Sequence, residues 1–219
     1  MVTDANRRRG AATRILILLL AAAALLLVLF APNRRATELP VIGQVPDFAL
    51  TDQQGRPFVA SALEGRPWIV AFLYTTCPGP CPLLLARAKG VQSRLGDGSD
   101  VGMLVVSVDP ANDTPAVLAE YSQAHGLDPD AWTLVTGEVE DIVSLVREGF
   151  LLAIGPAAEM LADGTSPEEL REIIATQGPV VHSTRLVLVD RQRRIRGTYE
   201  SADTDAVDRL LADAASLVD

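Results

Sequence analysis

Short apolar runs and helically spaced apolar residues follow each other along most of the chain. The runs at 68–74, 101–108 and 132–136 are short and contain several β-branched residues, which predicts buried strands. After each run, the apolar positions take the spacing of a helix face. Alternation of this kind predicts an α/β domain with a largely parallel sheet and helices on its faces.

The regions on either side of this alternation predict strands that turn back on themselves. Residues 46–59 carry alternating apolar positions around a turn at Gly55, which is typical of a hairpin. The stretch 149–178 gives the least clear pattern, although Ser166 stands where the N-cap of a helix is expected. Three more elements are predicted near the C-terminus, namely strands at 180–189 and 195–200 and a helix at 204–218.

The N-terminal region predicts a membrane anchor. Residues 15–31 are uncharged and apolar throughout, and they are just long enough to cross a bilayer as a helix. A cleaved signal peptide fits less well because the run ends in Leu-Phe-Ala-Pro-Asn, and a buried core helix would need a polar face. Four arginines precede the run and two follow it, which favours a cytoplasmic N-terminus and an extracytoplasmic domain. The predicted organisation is a basic N-terminus at 1–14, a single-pass anchor at 15–31, a tether at 32–45 and a folded domain at 46–219.

Composition narrows the function. The formal net charge of −9 excludes a nucleic-acid partner, which would require a basic surface facing the phosphates. Two cysteines cannot build a disulfide framework. Because Cys77 and Cys81 stand close together in the sequence, they are interpreted as one functional pair.

This pair lies where the predicted strand at 68–74 runs into a helix. Four positions apart on a forming helical turn, Cys77 and Cys81 would share one face, and they could form a disulfide or bind one ion together. A helix N-terminus should lower the pKa of at least one thiol. A purely structural disulfide is the alternative, but it would close a very short loop and constrain little of the unfolded chain.

Two thiolates make an incomplete site for most metals, and His182 could complete it. His182 begins a predicted strand that would lie beside the cysteine turn if the two strands are neighbours. Two thiolates and one imidazole suit Cu(I), whereas Zn(II) would need a fourth ligand. The alternative is that His182 is simply packed or hydrogen-bonded. His125 stands at a predicted helix end and is interpreted as structural.

Three segments together resemble the SCO/SenC family of membrane-anchored copper proteins. They are Tyr-Thr-Thr-Cys-Pro-Gly-Pro-Cys-Pro at 74–82, Val-Ser-Val-Asp-Pro-Ala-Asn-Asp-Thr-Pro at 106–115 and His-Ser-Thr-Arg-Leu-Val-Leu-Val-Asp at 182–190. The resemblance implies a thioredoxin-like three-layer domain in which Cys77, Cys81 and His182 bind copper. The sequence departs from the family pattern at Val181, where many members have an acidic residue, and in the stretch 149–178.

The resemblance also implies a function and partners. We expect a copper chaperone at the cell membrane that delivers Cu(I) to the copper A site of cytochrome c oxidase. The expected partners are the copper-bearing subunit of that oxidase and another copper chaperone as donor. Asp109 and Asp113 match acidic positions of the family, but turn formation and helix capping explain them equally well.

Two other functions remain open. In the first, Cys77 and Cys81 cycle through a disulfide and reduce the cysteines of the oxidase copper site, so the protein would be a thiol-disulfide oxidoreductase. This hypothesis predicts that His182 is dispensable. The second is a peroxidase or redox sensor, which would need a single activated thiolate with a peroxide-orienting arginine, and no such arrangement is evident in the sequence.

Overall fold

A computed structural model describes residues 38–96, 98–150 and 184–218, together with Ser166 and Glu168. From Leu39 onward the chain forms one compact unit. Across the residues described, no helix has the length and apolar character needed to cross a membrane. The predicted anchor at 15–31 and most of the stretch 149–178 lie outside the described residues.

The domain is built on one sheet whose central strands are covered on both faces. Its strands are β1 (Gly43–Gln44), β2 (Ala49–Asp52), β3 (Pro57–Val59), β4 (Trp68–Leu73), β5 (Gly102–Ser107), β6 (Trp132–Thr136), β7 (Arg185–Val189) and β8 (Arg194–Glu200). Its helices are α1 (Cys81–Leu95), α2 (Pro115–Ala124), α3 (Val139–Ser144) and α4 (Thr204–Ser216), with a 3₁₀ turn at Ala60–Leu63 and a π turn at Leu145–Gly149. Within the described residues the strand order is β1-β8-β7-β4-β5-β6-β2-β3.

The sheet is mixed, so the prediction of a largely parallel sheet was wrong. Strands β4, β5 and β6 are parallel, as their alternation with helices predicted. Strand β7, however, pairs antiparallel with β4, and β8 pairs antiparallel with β7. At the other edge, β2 joins β6 antiparallel and brings the N-terminal hairpin into the same sheet. The sequence pattern identified both hairpins but not the strands with which they pair.

Two hydrophobic clusters lie on opposite faces of the sheet. Helices α1, α2 and α4 cover one face, where Leu84, Leu118 and Leu210 are almost fully buried. Helix α3 and the N-terminal hairpin cover the other face, where the Phe150 ring meets Phe72 edge-on at 5.0 Å between centroids. Strands β4 and β5 are buried along their whole length, which explains their continuous apolar sequence. The expected three layers are confirmed.

The start of α1 differs from the prediction. The helix begins at Cys81, so Cys77 lies in the turn before it and not on the helix itself. The backbone N–H of Cys77 donates to the carbonyl of Tyr74 at 3.4 Å, which closes that turn. Proline lacks the N–H that a helix interior needs and fixes φ, so Pro78 and Pro80 favour a turn followed by a helix start. The two cysteines therefore approach each other across a turn.

Candidate functional site

The cysteine turn leaves the carboxyl end of β4 and enters α1. Both cysteines are free and buried, with 8% of Cys77 and 7% of Cys81 exposed. Around them, Thr76, Pro78, Gly79, Pro80, Pro82 and Leu83 are exposed. The two thiols therefore lie at the border between the hydrophobic core and an exposed, uncharged turn.

The two thiols differ in acidity. Burial raises the pKa of Cys77, but hydrogen bonds from the Cys81 side chain, the backbone N–H groups of Cys81 and Gly79 and the Tyr74 side chain outweigh it, so that the pKa lies below the ordinary thiol value. Burial and the hydrogen bond to Cys77 raise the pKa of Cys81 to about 12. Cys77 is thus the sulfur that becomes a thiolate first, and Cys81 retains the proton of the pair.

Two tyrosines stand beside the pair. Burial, followed by the hydrogen bond to Cys77, raises the pKa of Tyr74 to about 12. Burial and the charges of Cys81 and Asp113 raise the pKa of Tyr121 to about 12 as well. Both phenols are therefore neutral at physiological pH, and the Tyr74 hydroxyl can donate to the Cys77 sulfur.

Asp113 reaches the cysteine turn from the loop after β5. It is fully buried, and its carboxylate accepts from the Thr75 backbone N–H at 3.1 Å, from the Thr75 hydroxyl at 2.5 Å and from the Ser107 hydroxyl at 2.5 Å. Thr114 caps α2 by accepting from the N–H of Val117 at 3.4 Å, and Pro115 is the first helical residue, as predicted. Asp113 is thus a contact between two loops and not the cap of α2.

Asp109 belongs to the same loop but has a different role. It is buried, and its carboxylate accepts from the Asn112 side-chain amide at 2.9 Å and 3.1 Å. Its carbonyl also accepts from the backbone N–H groups of Asn112 and Asp113. Asp109 therefore stabilises its own turn, in agreement with turn formation as the explanation of this residue.

The predicted imidazole ligand, His182, lies outside the described residues. His125 is exposed at the end of α2, where its ring lies 4.2 Å from that of Tyr121 and its carbonyl accepts from Lys89 Nζ. In the described part of the chain, no group of three or more His, Cys, Asp or Glu side chains is arranged to hold a metal ion. The described part of the site is thus the dithiol and its hydrogen-bonding neighbours.

Sequence reasoning did not identify Thr75 and Ser107 as part of the site. The signal that could have found them is the parallel pairing of β4 with β5, which sets Leu73 opposite Ser107. With that register known, the polar residues just beyond both strand ends must lie close together.

A mixed sheet with helices on both faces, and a thiol pair where a central strand meets a helix, define a thioredoxin-like protein. Within that class the chain belongs to the SCO1/SenC family, whose pattern matches residues 40–219.

Named relatives and solved structures agree with this assignment. The SCO1 protein homolog of Bacillus subtilis (strain 168) is 25% identical over 178 residues, which are 81% of this chain and 84% of that protein. The structure of BsSco, described as a member of the Sco family of cytochrome c oxidase assembly proteins with a disulfide switch, matches with a TM-score of 0.67 at 23% identity, covering 84% of this chain and 98% of that one. Bradyrhizobium japonicum ScoI with copper bound matches with a TM-score of 0.59 at 25% identity, covering 80% of this chain and 99% of that one.

Proposed function

We propose that this protein is a copper chaperone that binds Cu(I) through Cys77, Cys81 and His182 and delivers it to the copper A site of cytochrome c oxidase. The observation that carries the proposal is the pair of free, buried thiols at the junction of β4 and α1 in a SCO1/SenC protein. The copper-bound ScoI structure and the description of BsSco as an oxidase assembly protein support the choice of cargo and recipient.

The donor set suits Cu(I). Thiolates are soft ligands that prefer Cu(I), and a buried pair offers two of them in a place that restricts water. Binding displaces the protons of the pair, including the one that Cys81 retains. Transfer to a partner would proceed by exchange, in which an incoming thiolate or imidazole binds copper before a donor ligand leaves, so that no free ion is released.

The pairing of β7 supports His182 as the third ligand. Strand β7 is antiparallel to β4, with Val187 opposite Val70 and Val189 opposite Trp68. The chain therefore enters β7 at the edge of the sheet where the cysteine turn leaves β4. His182 precedes Arg185, the first residue of β7, by three positions, which is near enough for its imidazole to reach this edge.

The topology of the proposal rests on the sequence pattern. The apolar run at 15–31 would anchor the protein in the cell membrane, with residues 1–14 in the cytoplasm and the thiol-bearing domain on the extracytoplasmic side. Deleting residues 1–31 should then move the protein from the membrane fraction to the soluble fraction. Retention of the shortened protein in the membrane would contradict the anchor.

An anaerobic Cu(I) titration of the reduced protein, in competition with a chromophoric Cu(I) chelator, tests the three-ligand site. We expect one tightly bound equivalent, lost in the Cys77→Ser/Cys81→Ser double variant and weakened in His182→Ala. His125→Ala is the matched control, because His125 is the only other histidine in the chain, and it should bind as the unchanged protein does. Equal affinity in His182→Ala and His125→Ala would exclude His182 as a ligand.

A second function, reduction of the oxidase copper-site cysteines, is favoured by the disulfide switch described for BsSco and by the two free thiols, of which Cys77 has the lowered pKa. In this reaction the Cys77 thiolate attacks the partner disulfide, and Cys81 then resolves the mixed disulfide, so that two electrons and two protons pass to the partner. The protein would have to reduce a disulfide-bonded copper A domain, and His182→Ala would have to retain that activity. A protein that binds Cu(I) tightly but leaves the disulfide intact would be a chaperone alone.

A further inference from the structure

We propose that Asp113 is a positioning residue for the dithiol, acting through Thr75, and that this contact sets the affinity for the bound metal. The inference deepens the proposed copper function and rests on it. It assigns a task to a buried carboxylate that turn formation and capping leave unexplained.

The contact between Asp113 and Thr75 lies next to the cysteine turn. Thr75 follows β4 and stands two residues before Cys77. Both of its hydrogen-bond donors, the backbone N–H and the hydroxyl, point to the same carboxylate of Asp113. The sequence separation of 38 residues makes this a tertiary contact.

Further hydrogen bonds fix Asp113 to the end of β5 and to its own turn. Ser107, at the end of β5, donates its hydroxyl at 2.5 Å to Asp113 Oδ2, the oxygen that also accepts the Thr75 backbone N–H, and its own oxygen accepts the N–H of Asp109 at 3.2 Å. The N–H of Asp113 donates to the Asp109 carbonyl at 2.8 Å. The carboxylate is thus fixed to β5 and to its own turn, and a fixed acceptor can fix Thr75.

A turn that is already ordered loses less conformational entropy when a ligand binds, and this raises affinity. The residues between the two thiols, 78–80, are exposed. A fixed Thr75 holds the first sulfur close to the second before a metal arrives. Releasing Thr75 would make metal binding order the turn as well.

Variants of Asp113 and of Thr75 separate the effect of the Asp113–Thr75 contact from the effect of the negative charge of Asp113. Asp113→Asn keeps one acceptor oxygen and replaces the other with an NH₂ donor, so it weakens the contact, and it also removes a negative charge that opposes ionisation of Cys81. These two effects on copper affinity have opposite signs. Thr75→Val removes only the hydroxyl, since the backbone N–H and the carboxylate remain. Thr75→Val is therefore the decisive variant, and Thr75→Ser, which keeps both donors, is its conservative counterpart.

Asp109→Asn is the matched control. Asp109 is also a buried aspartate of the β5–α2 loop, but its carboxylate hydrogen bonds go to Asn112 and not to the cysteine turn. A loss caused by general weakening of this loop should appear in Asp109→Asn. A loss caused by release of Thr75 should not.

The experiment measures Cu(I) affinity and the thermal midpoint of the metal-free, reduced full-length protein for all five forms. We expect Thr75→Val to bind Cu(I) about tenfold more weakly, the scale of one lost hydrogen bond to a charged group. Thr75→Ser and Asp109→Asn should stay within about twofold of the unchanged protein. Unchanged affinity in Thr75→Val, or an equal loss in Asp109→Asn at a similar thermal midpoint, would overturn the proposal.

A second readout separates this inference from the copper function. In glutathione buffers, Cys77 and Cys81 lose two protons and two electrons as one disulfide forms, and oxidised glutathione takes them up to give two molecules of glutathione. Release of Thr75 should lower the effective concentration of one thiol at the other, so the equilibrium in Thr75→Val should move toward the dithiol by about three- to tenfold. If the unchanged protein bound no Cu(I), the copper function would fail, and this equilibrium would still decide whether Asp113 positions the pair.

Discussion

The same turn closes two hairpins of this protein, and only one of them carries a buried arginine. After β2, the Asp52 carboxylate accepts the backbone N–H groups of Gln54 and Arg56 at 2.9 Å and pairs with Arg56 Nε at 2.8 Å. After β7, Asp190 repeats this arrangement with Gln192 and Arg194, at 2.9 Å and 2.7 Å. Asp190 has a further partner, Arg196 Nη1, at 2.9 Å. The two aspartates therefore form a natural comparison.

Replacing each aspartate with asparagine should separate the contribution of Arg196. Asparagine retains one oxygen for the two backbone N–H groups, so that part is the same in both turns. Each variant also loses an ion pair with an arginine that is at least partly exposed, which contributes about 0.3–1 kcal/mol. Asp190→Asn alone breaks a pair in which 2% of the Arg196 side chain is exposed, and breaking a buried pair costs about 3–5 kcal/mol. We expect Asp190→Asn to be the more destabilising by about 3–4 kcal/mol.

Urea denaturation of the purified protein, followed by tryptophan fluorescence, measures this difference. In a domain of this size it corresponds to about 6–15 °C in the midpoint of thermal unfolding. A double variant, Asp190→Asn with Arg196→Met, should recover part of the loss, because an apolar side chain does not need the missing carboxylate. Equal destabilisation by Asp52→Asn and Asp190→Asn would refute the reasoning, as would a double variant that is less stable than Asp190→Asn.

Three further predictions follow from individual contacts and titrations. Gly102→Ala should destabilise the domain by about 1–3 kcal/mol in urea denaturation, because a Cβ there would lie 2.5 Å from the Trp68 ring; a change below about 0.5 kcal/mol would show that the ring moves aside freely. Copper affinity should rise with pH across the neutral range, since Cu(I) displaces the proton of Cys81, whose pKa burial raises to about 12; competition titrations at pH 6, 7 and 8 would contradict this if they gave one constant. Burial alone raises the pKa of Asp190, but hydrogen bonds from Arg194 and Gln192 outweigh it and lower the pKa, so this stabilisation is present at neutral pH and is lost as the pH falls below about 4; Asp190→Asn should lack that part of the acid dependence.

The sequence was sufficient for most elements because their signals are local. The strand at 132–136 was predicted with its observed ends, and the one predicted at 195–200 begins only one residue earlier, at Arg194. The helix predicted after the run at 132–136 ends at Ser144, and the chain continues as a π turn to Gly149. Val146 in that turn and Phe150 just after it are buried in the core cluster of the face that α3 covers, and a pattern of apolar positions cannot distinguish the turn from a continued helix.

Strand pairing could not be predicted because it depends on contacts between distant parts of the chain. Nothing local in 49–52 indicates pairing with β6, and β1 is only two residues long. The site divides in the same way. Cys77 and Cys81 were recognised from their spacing, whereas the contact between Asp113 and Thr75 exists only because β4 and β5 are parallel neighbours. Residue types therefore indicate which chemistry a site can perform, whereas the contacts that position its residues depend on how the strands pair.

The sheet also separates the proposed metal site from the buried ion pair between Asp190 and Arg196. The cysteine turn, the Asp113 loop and the start of β7 lie at one end of the central strands, whereas Asp190 follows the last residue of β7 and Arg196 lies in β8 beside that same end. The five residues of β7, at about 3.3 Å each, separate the cysteine turn from Asp190 by roughly 16 Å. Substitutions that far apart and without shared partners usually act independently. Asp190→Asn should therefore lower the unfolding midpoint while leaving Cu(I) affinity unchanged at temperatures where the protein is folded, whereas Thr75→Val should weaken Cu(I) binding. A titration in which Asp190→Asn weakened copper binding as strongly as Thr75→Val would show that the cysteine turn and the Asp190–Arg196 pair are coupled through β7.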